Sequence, residues 1–193
     1  MDDATLISRA ADGDKGAFDQ LVRKYEGRAY QYAYRLTRNP DDAADIVIEA
    51  FVRVNSALKN FRGQSAFGTW LYRIITNCSL DLRKKDKSHR NVSLDQTMNV
   101  NGSEVERQLE DEAPGPVEIV EKNAREEAVQ SALQKMPEYQ QAMLVMYHVE
   151  MLSYEEISEA LDLPIGTVKS RLNRARLALR DLLVKDKELF HSG

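Results

Sequence analysis

Seven polar or basic side chains crowd one short stretch of the chain: Thr167, Lys169, Ser170, Arg171, Asn173, Arg174 and Arg176. Their chemistry is that of reading base edges. An Arg fork places two hydrogen bonds on guanine, an Asn amide does the same on adenine, and each good pair discriminates by about 1–3 kcal/mol. To work, such residues must stand on one face of a rigid element. Ile165, Val168, Leu172, Ala175, Leu179 and Leu182 recur at spacings of three and four, the buried stripe of one helix, with the polar residues opposite. Immediately before it, Ser153 with Glu156 predicts a capping box, and Ile157, Ala160 and Leu161 give a short helix an apolar face. Asp162-Leu163-Pro164 then breaks the chain, since a residue before proline is biased away from the helical region and Pro164 suits a helix start. Two helices, a tight turn and a cationic second helix predict a helix-turn-helix, with that second helix in a DNA major groove.

A second group lies between Asn60 and Lys85, NFRGQSAFGTWLYRIITNCSLDLRKK. Aromatic rings, amides, hydroxyls and a basic end are the mixture that binds single-stranded nucleic acid, by stacking bases and following the backbone with cations. The loop Lys59 to Ser65 contains Phe61-Arg62-Gly63, and Ser65 is placed to cap the following helix. That helix should bury Phe67, Leu71, Ile74, Ile75, Cys78 and Leu82, leave Thr69, Arg73 and Asn77 outward, and carry Trp70 and Tyr72 off the buried stripe. A third group is acidic: Asp42, Asp45 and Glu49 share the outer face of a helix opened by Asn39-Pro40. Such a face is either solvated surface or a dock for a basic partner.

The elements that carry these groups are all helical in pattern. Phe18, Leu21, Val22 and Tyr25 share a face that continues through Ala29, Tyr32, Ala33 and Leu36, past Gly27. Ala43, Ile46, Val47, Ala50, Phe51, Val54 and Leu58 make the next buried stripe. Lys85 to Gly115 has no apolar period and ends in Pro114-Gly115-Pro116, so it reads as a linker. Pro116 is placed to open a helix with Val117, Val120, Ala124 and Ala128 on one side, and Pro137 another with Tyr139, Ala142, Met143, Met146 and Tyr147 inside. The expectation is all-α, with two small helical domains, 1–85 and 116–193, joined by a flexible acidic linker, 86–115.

Bulk properties narrow the function. The 193 residues are 42% hydrophobic and 30% charged, with a net charge of −4, a poor figure for a chain that binds DNA non-specifically. The charge is segregated, however. Arg73 to Arg90 holds six basic residues against two acidic, and Lys169 to Lys185 six against one. Between them, Glu104 to Glu127 holds nine acidic residues against three basic. The single cysteine, Cys78, excludes an internal disulfide and fits a reducing compartment. Met1-Asp2-Asp3 is acidic where a secretory signal is basic, and no apolar run is long enough to span a bilayer, so a cytoplasmic chain without membrane insertion is expected. His89, His148 and His191 are far apart, and no phosphate loop, HExxH or Ser/His/Asp pattern is present. No enzyme activity, metal or cofactor is expected.

In their order along the chain, AADIVIEAFVRV (43–54), NFRGQSAFGTWLYRIITN (60–77) and SYEEISEALDLPIGTVKSRLNRAR (153–176) resemble the bacterial extracytoplasmic-function sigma factors, close to the sigma-E-like subgroup. The resemblance implies a sigma region 2 domain, a linker and a sigma region 4 helix-turn-helix. It implies that the helix with Asp42, Asp45 and Glu49 docks on the β′ clamp helices of core RNA polymerase, with further contact to β. The loop Phe61, Arg62, Gly63 and Ser65, with Asn77, would form the pocket for a flipped base of the minus-ten element. Trp70, Arg73, Arg83 and Lys84 would lie near the melted strand or upstream phosphates. Thr167, Lys169, Ser170, Arg171, Asn173 and Arg174 would read the minus-thirty-five element. An alternative sigma factor of this kind binds core polymerase and promoter DNA, helps open the DNA, and is commonly held by an anti-sigma factor. Ile48 departs from the family, which commonly has Gln there. The competing readings are a duplex-binding regulator that never touches polymerase, and an adaptor that uses its helical faces for protein contacts alone.

Overall fold

The computed structural model describes the backbone of residues 2–63, 65–92 and 126–191, and all regular structure among these is helical. The elements are α1 (Asp3–Ala11), α2 (Lys15–Thr37), α3 (Pro40–Ala57), a 3-10 turn (Leu58–Asn60), α4 (Phe67–Val92), α5 (126–134), α6 (Glu138–His148), α7 (Tyr154–Leu161) and α8 (Ile165–His191). Most of the linker expected at 86–115, and the helix start expected at Pro116, lie outside the described residues.

Local chemistry starts the helices at the expected caps. Asn39 Oδ1 accepts from the amides of Asp41 and Asp42, and Pro40 occupies the first turn of α3. Asp2 and Asp14 cap α1 and α2 through the amides of Thr5 and Ala17. Ser153 makes the full capping box: its hydroxyl accepts from the Glu156 amide at 3.1 Å, and the Glu156 carboxylate accepts from the Ser153 amide at 2.9 Å. Ser153→Ala should therefore cost about 1 kcal/mol of stability, checked by chemical denaturation followed at the helical circular-dichroism signal. The cap expected at Ser65 falls one residue later, because the first amide of α4 to be satisfied internally, that of Trp70, donates to the Ala66 carbonyl. α4 also outruns the expected domain end at Lys85, reaching Val92. Between Thr69 and Val92 it meets neither Gly nor Pro, so nothing stops the helix where the apolar period ends.

Helices α1 to α4 form one group, with α2 packed on α1, α3 and α4, and α6, α7 and α8 form another. The two groups abut: α4 contacts α7 and α6, and α2 contacts α6. Leu21, Tyr32, Val54, Leu71 and Ile75 are fully buried on one side, Met143, Met146, Ile157 and Leu172 on the other, in one contiguous core. This junction accounts for three departures from the sequence reading. Tyr72, expected off the buried stripe, is only 4% exposed, and Thr69, expected to face outward, only 2%. Both sit on the side of α4 that meets the second group, so α4 buries two faces. Gln141 is buried inside α6, where every side chain from Gln141 to Met146 is enclosed, the mark of a helix covered all round. A further departure runs the other way: Ile165, expected as the first residue of the buried stripe, is exposed in the first turn of α8. Cys78 is buried, and burial pushes its thiol up to about 11, which leaves it a small apolar core residue.

Candidate nucleic-acid interface

The loop after the 3-10 turn is held by its own aromatic ring. Phe61 lies 4.7 Å from Trp70 and 6.2 Å from Phe67, centroid to centroid, and Phe67 lies 5.8 Å from Trp70 and 4.8 Å from Tyr25. Phe67 and Tyr25 are buried and anchor the cluster, while Phe61 and Trp70 are part-exposed at its rim. Gly63, at φ +66°, turns the loop in the left-handed region that a side chain strains to adopt. Two clefts open on either side of this loop. One, of about 570 Å³, lies between the loop and α1, with Arg62, Gly63 and Ser65 on its wall. The other, of about 510 Å³, is lined by Phe61, Arg62, Ser65, Trp70 and Arg73 on one side and by Glu159 and Asp162 on the other. Rings, a cation and hydroxyls around a base-sized space can stack a base and hold its phosphate.

The residues assigned to this region do not all converge. Phe61, Arg62, Gly63, Ser65, Trp70 and Arg73 meet around the loop. Asn77 is exposed two helical turns beyond Trp70 on the same face of α4, outside both clefts. Arg83 is half-buried and engaged within the chain: its guanidinium donates to the Leu36 carbonyl and lies 3.8 Å from the Glu138 carboxylate. Lys84 is exposed.

On the second group of helices, the turn between α7 and α8 is made by Asp162 at φ 53°, a left-handed conformation that Asp tolerates better than most side chains. The Ser158 hydroxyl donates to the Leu163 carbonyl and closes the turn. Val168, Leu172 and Ala175 bury one side of α8, and Lys169, Ser170, Arg171, Asn173 and Arg174 stand exposed on the other, with Thr167 half-buried beside them. A column of rings and cations links this helix to α6 and α7. Arg176 lies 4.6 Å over the Tyr147 ring, Tyr147 stacks on Tyr154 at 5.2 Å, and Lys169 lies 5.7 Å over Tyr154. Arg176 also donates to His148 Nε2 at 3.1 Å, so His148 serves as a structural acceptor. Arg171 reaches back to 5.5 Å over Tyr139.

On α3, Asp45 and Glu49 are exposed, and Asp42 is half-buried in the first turn. Glu49 pairs with Arg53, which also pairs with Asp81 of α4, so Glu49 is tied to a cation. Ile48 and Val52 stand 65% and 56% exposed on the same helix, an apolar strip beside the acids.

Known proteins share this combination. Residues 21–89 match the family model for Sigma-70 region 2, and residues 126–179 match that for Sigma-70, region 4. The RNA polymerase sigma-H factor of Pseudomonas aeruginosa is 35% identical over 180 residues, 92% of this chain and 91% of that protein. The chain is an extracytoplasmic-function RNA polymerase sigma factor. The ECF sigma factor SigW of Bacillus subtilis is 33% identical to this sigma factor, over 92% of the chain and 94% of SigW. The ECF sigma-E factor of Escherichia coli K12 is 31% identical, over 93% of each. Among solved structures, CnrH in complex with the cytosolic domain of CnrY aligns with a TM-score of 0.66 at 27% identity, covering 95% of this sigma factor and 98% of CnrH. The two groups of helices are thus sigma regions 2 and 4. Among the described residues, no helix is long and apolar enough to cross a membrane.

Proposed function

We propose that this sigma factor reads its promoter through two surfaces with separate chemistry. The loop 61–65 with Trp70 and Arg73 takes an unpaired base of the minus-ten element and its phosphate, Asn77 meets the same strand two turns farther along α4, and Lys84, with Arg83 once released, follows the upstream backbone. The exposed face of α8, through Thr167, Lys169, Ser170, Arg171, Asn173 and Arg174, reads the minus-thirty-five element in the major groove. The α3 face with Asp42, Asp45 and Glu49, together with the Ile48 and Val52 strip, docks on the β′ clamp helices of core RNA polymerase, with further contact to β. The chain acts in the cytoplasm, carries no catalytic group of its own, and is a target for an anti-sigma factor.

The observation that carries this reading is the Phe61–Phe67–Trp70 cluster opening onto a cleft beside Arg73, in a chain that also has a helix-turn-helix. A regulator confined to duplex DNA has no use for such a cleft. Extruding a base costs a few kcal/mol, and stacking on a ring returns about 1–3 kcal/mol per base, so the cleft holds open a strand that has separated. Asn77→Ala should slow open-complex formation on a promoter by about tenfold, the worth of roughly one hydrogen bond to a base edge, and leave duplex binding unchanged. The measurement is permanganate footprinting beside a duplex gel shift, with the variant bound to core polymerase. Equal losses in both assays sink the assignment of this α4 face to the separated strand, and failure to bind core polymerase at all favours the duplex regulator.

A further inference from the structure

Where regions 2 and 4 meet, polar contacts flank the shared core, and they are selective. α2 ends at Thr37, and the carbonyls near that end have no partner within the helix. Region 4 supplies partners. Gln141, 1% exposed, donates through Nε2 to the carbonyls of Arg35 and Leu36, both at 3.1 Å, and Gln134 donates to the Leu36 carbonyl at 3.3 Å. Glu150, its side chain 9% exposed, accepts from the Tyr72 hydroxyl and lies 3.5 Å from Arg35. Tyr72 is itself fixed, its ring 4.7 Å from that of Tyr32, whose hydroxyl bonds Thr76 at 2.8 Å.

The same meeting of the halves places acidic groups of region 4 on the cations of region 2. Asp162, in the α7–α8 turn, lies 3.9 Å from Arg73, and Glu159 lines the cleft beside it. Glu138, at the start of α6, lies 3.8 Å from Arg83. Two of the cations that would hold a separated strand, Arg73 and Arg83, therefore face carboxylates of the other half, and α7 stands across the Trp70 cleft. The reading face of α8 is left exposed.

We infer that the free sigma factor is shut by a latch between its halves, Gln141 on the α2 carbonyls and Glu150 on Tyr72 and Arg35, and that shutting it denies the Trp70 cleft to single-stranded DNA while leaving α8 able to bind duplex. The inference rests on the reading of loop 61–65 as the strand site. The groups that form the latch suit a reversible joint. A carboxylate and an amide taken from water regain hydration on opening, so these polar contacts set the geometry of the joint more than its net energy. The Arg73–Asp162 pair is exposed and contributes little to holding it shut. Its effect is to exclude a phosphate.

Trp70 is the only tryptophan of the chain and reports the cleft directly. The test uses the full chain without polymerase, and two variants. Tyr72→Phe removes the hydroxyl that serves Glu150, and Gln141→Glu sets a carboxylate against the α2 carbonyls. Acrylamide quenching of Trp70, anisotropy of a fluorescent single-stranded oligonucleotide of mixed sequence, and a duplex gel shift are compared with the unaltered chain. Tyr72→Phe should raise the open fraction by about tenfold, the loss of one hydrogen bond to a charged group, and single-strand affinity should rise by the same factor. Gln141→Glu should do more, and duplex affinity should not move. Unchanged quenching and single-strand binding in a folded Tyr72→Phe chain overturn the latch, whether or not Gln141→Glu folds. Greater quenching with no gain in single-strand binding overturns instead the strand-site reading, and the gating with it.

Discussion

Arg171→Ala combined with Arg174→Ala is expected to weaken binding to the minus-thirty-five duplex by about a hundredfold or more. Both guanidinium groups stand exposed on the outer side of α8. Each Arg that no longer reaches a base edge costs about 1–3 kcal/mol, every 1.4 kcal/mol being a factor of ten. The fold should survive, because Val168, Leu172 and Ala175 hold the other side of the helix and the Ser153 capping box is untouched. Arg171 alone also leans on the Tyr139 ring, an interaction of about 0.5–1 kcal/mol at an exposed site, so the melting temperature falls slightly. A gel shift over several salt concentrations separates the two roles an Arg can have. Removing a base reader relaxes sequence preference, and removing a phosphate-neutralising cation lowers the salt slope by about one. Unaltered promoter preference in the double variant removes α8 as the reader.

Leu172→Ala is expected to have the largest effect on stability, about 2–5 kcal/mol, the range for deleting a fully buried leucine. Leu172 is completely enclosed on the inner side of α8, among the core residues that include Ile157 and Val168. A domain of this kind has about 5–15 kcal/mol in all, so the change removes a large share of it. The core is contiguous from Leu21 to Leu172, and the loss should therefore not stay local. Denaturation followed at Trp70, in region 2, should shift with denaturation followed by circular dichroism. A Trp70 transition that stays in place while helicity is lost at lower denaturant shows instead that the two regions unfold independently.

Much of the helical framework is legible in the sequence because helix starts are local events. The side chains of Asn39 and Ser153 accept from amides two or three residues on, and nothing distant alters that. The exposed face of α8 is legible for the same reason, since a stripe at helical spacing fixes which side is left for other work. The residues that escape such reading are those whose surroundings come from the other half of the chain. Tyr72 and Thr69 sit at positions that a lone region 2 helix would leave open, and region 4 covers them. Gln141 and Glu150 look in sequence like ordinary polar residues of a surface helix, and their roles depend on carbonyls and a hydroxyl more than a hundred residues earlier or, for Tyr72, about eighty. The charge of Arg83 points in sequence to a phosphate, and in the structure it serves the Leu36 carbonyl of α2 and Glu138 of region 4. Asp162 reads in sequence only as a helix breaker, and its left-handed backbone puts a carboxylate at the lip of the cleft.

The unbroken run of α4 from Phe67 to Val92 has a mechanical consequence. Its 26 residues make a rod about 39 Å long, at 1.5 Å per residue. Tyr72 stands near one end, held by Glu150, and Arg83, held by Glu138, about 17 Å away by the same rise, so two different parts of region 4 engage α4. A stiff lever gripped at two points cannot release one without loading the other. Regions 2 and 4 should thus part in a single step, and a partner that pries at either grip on α4 frees both.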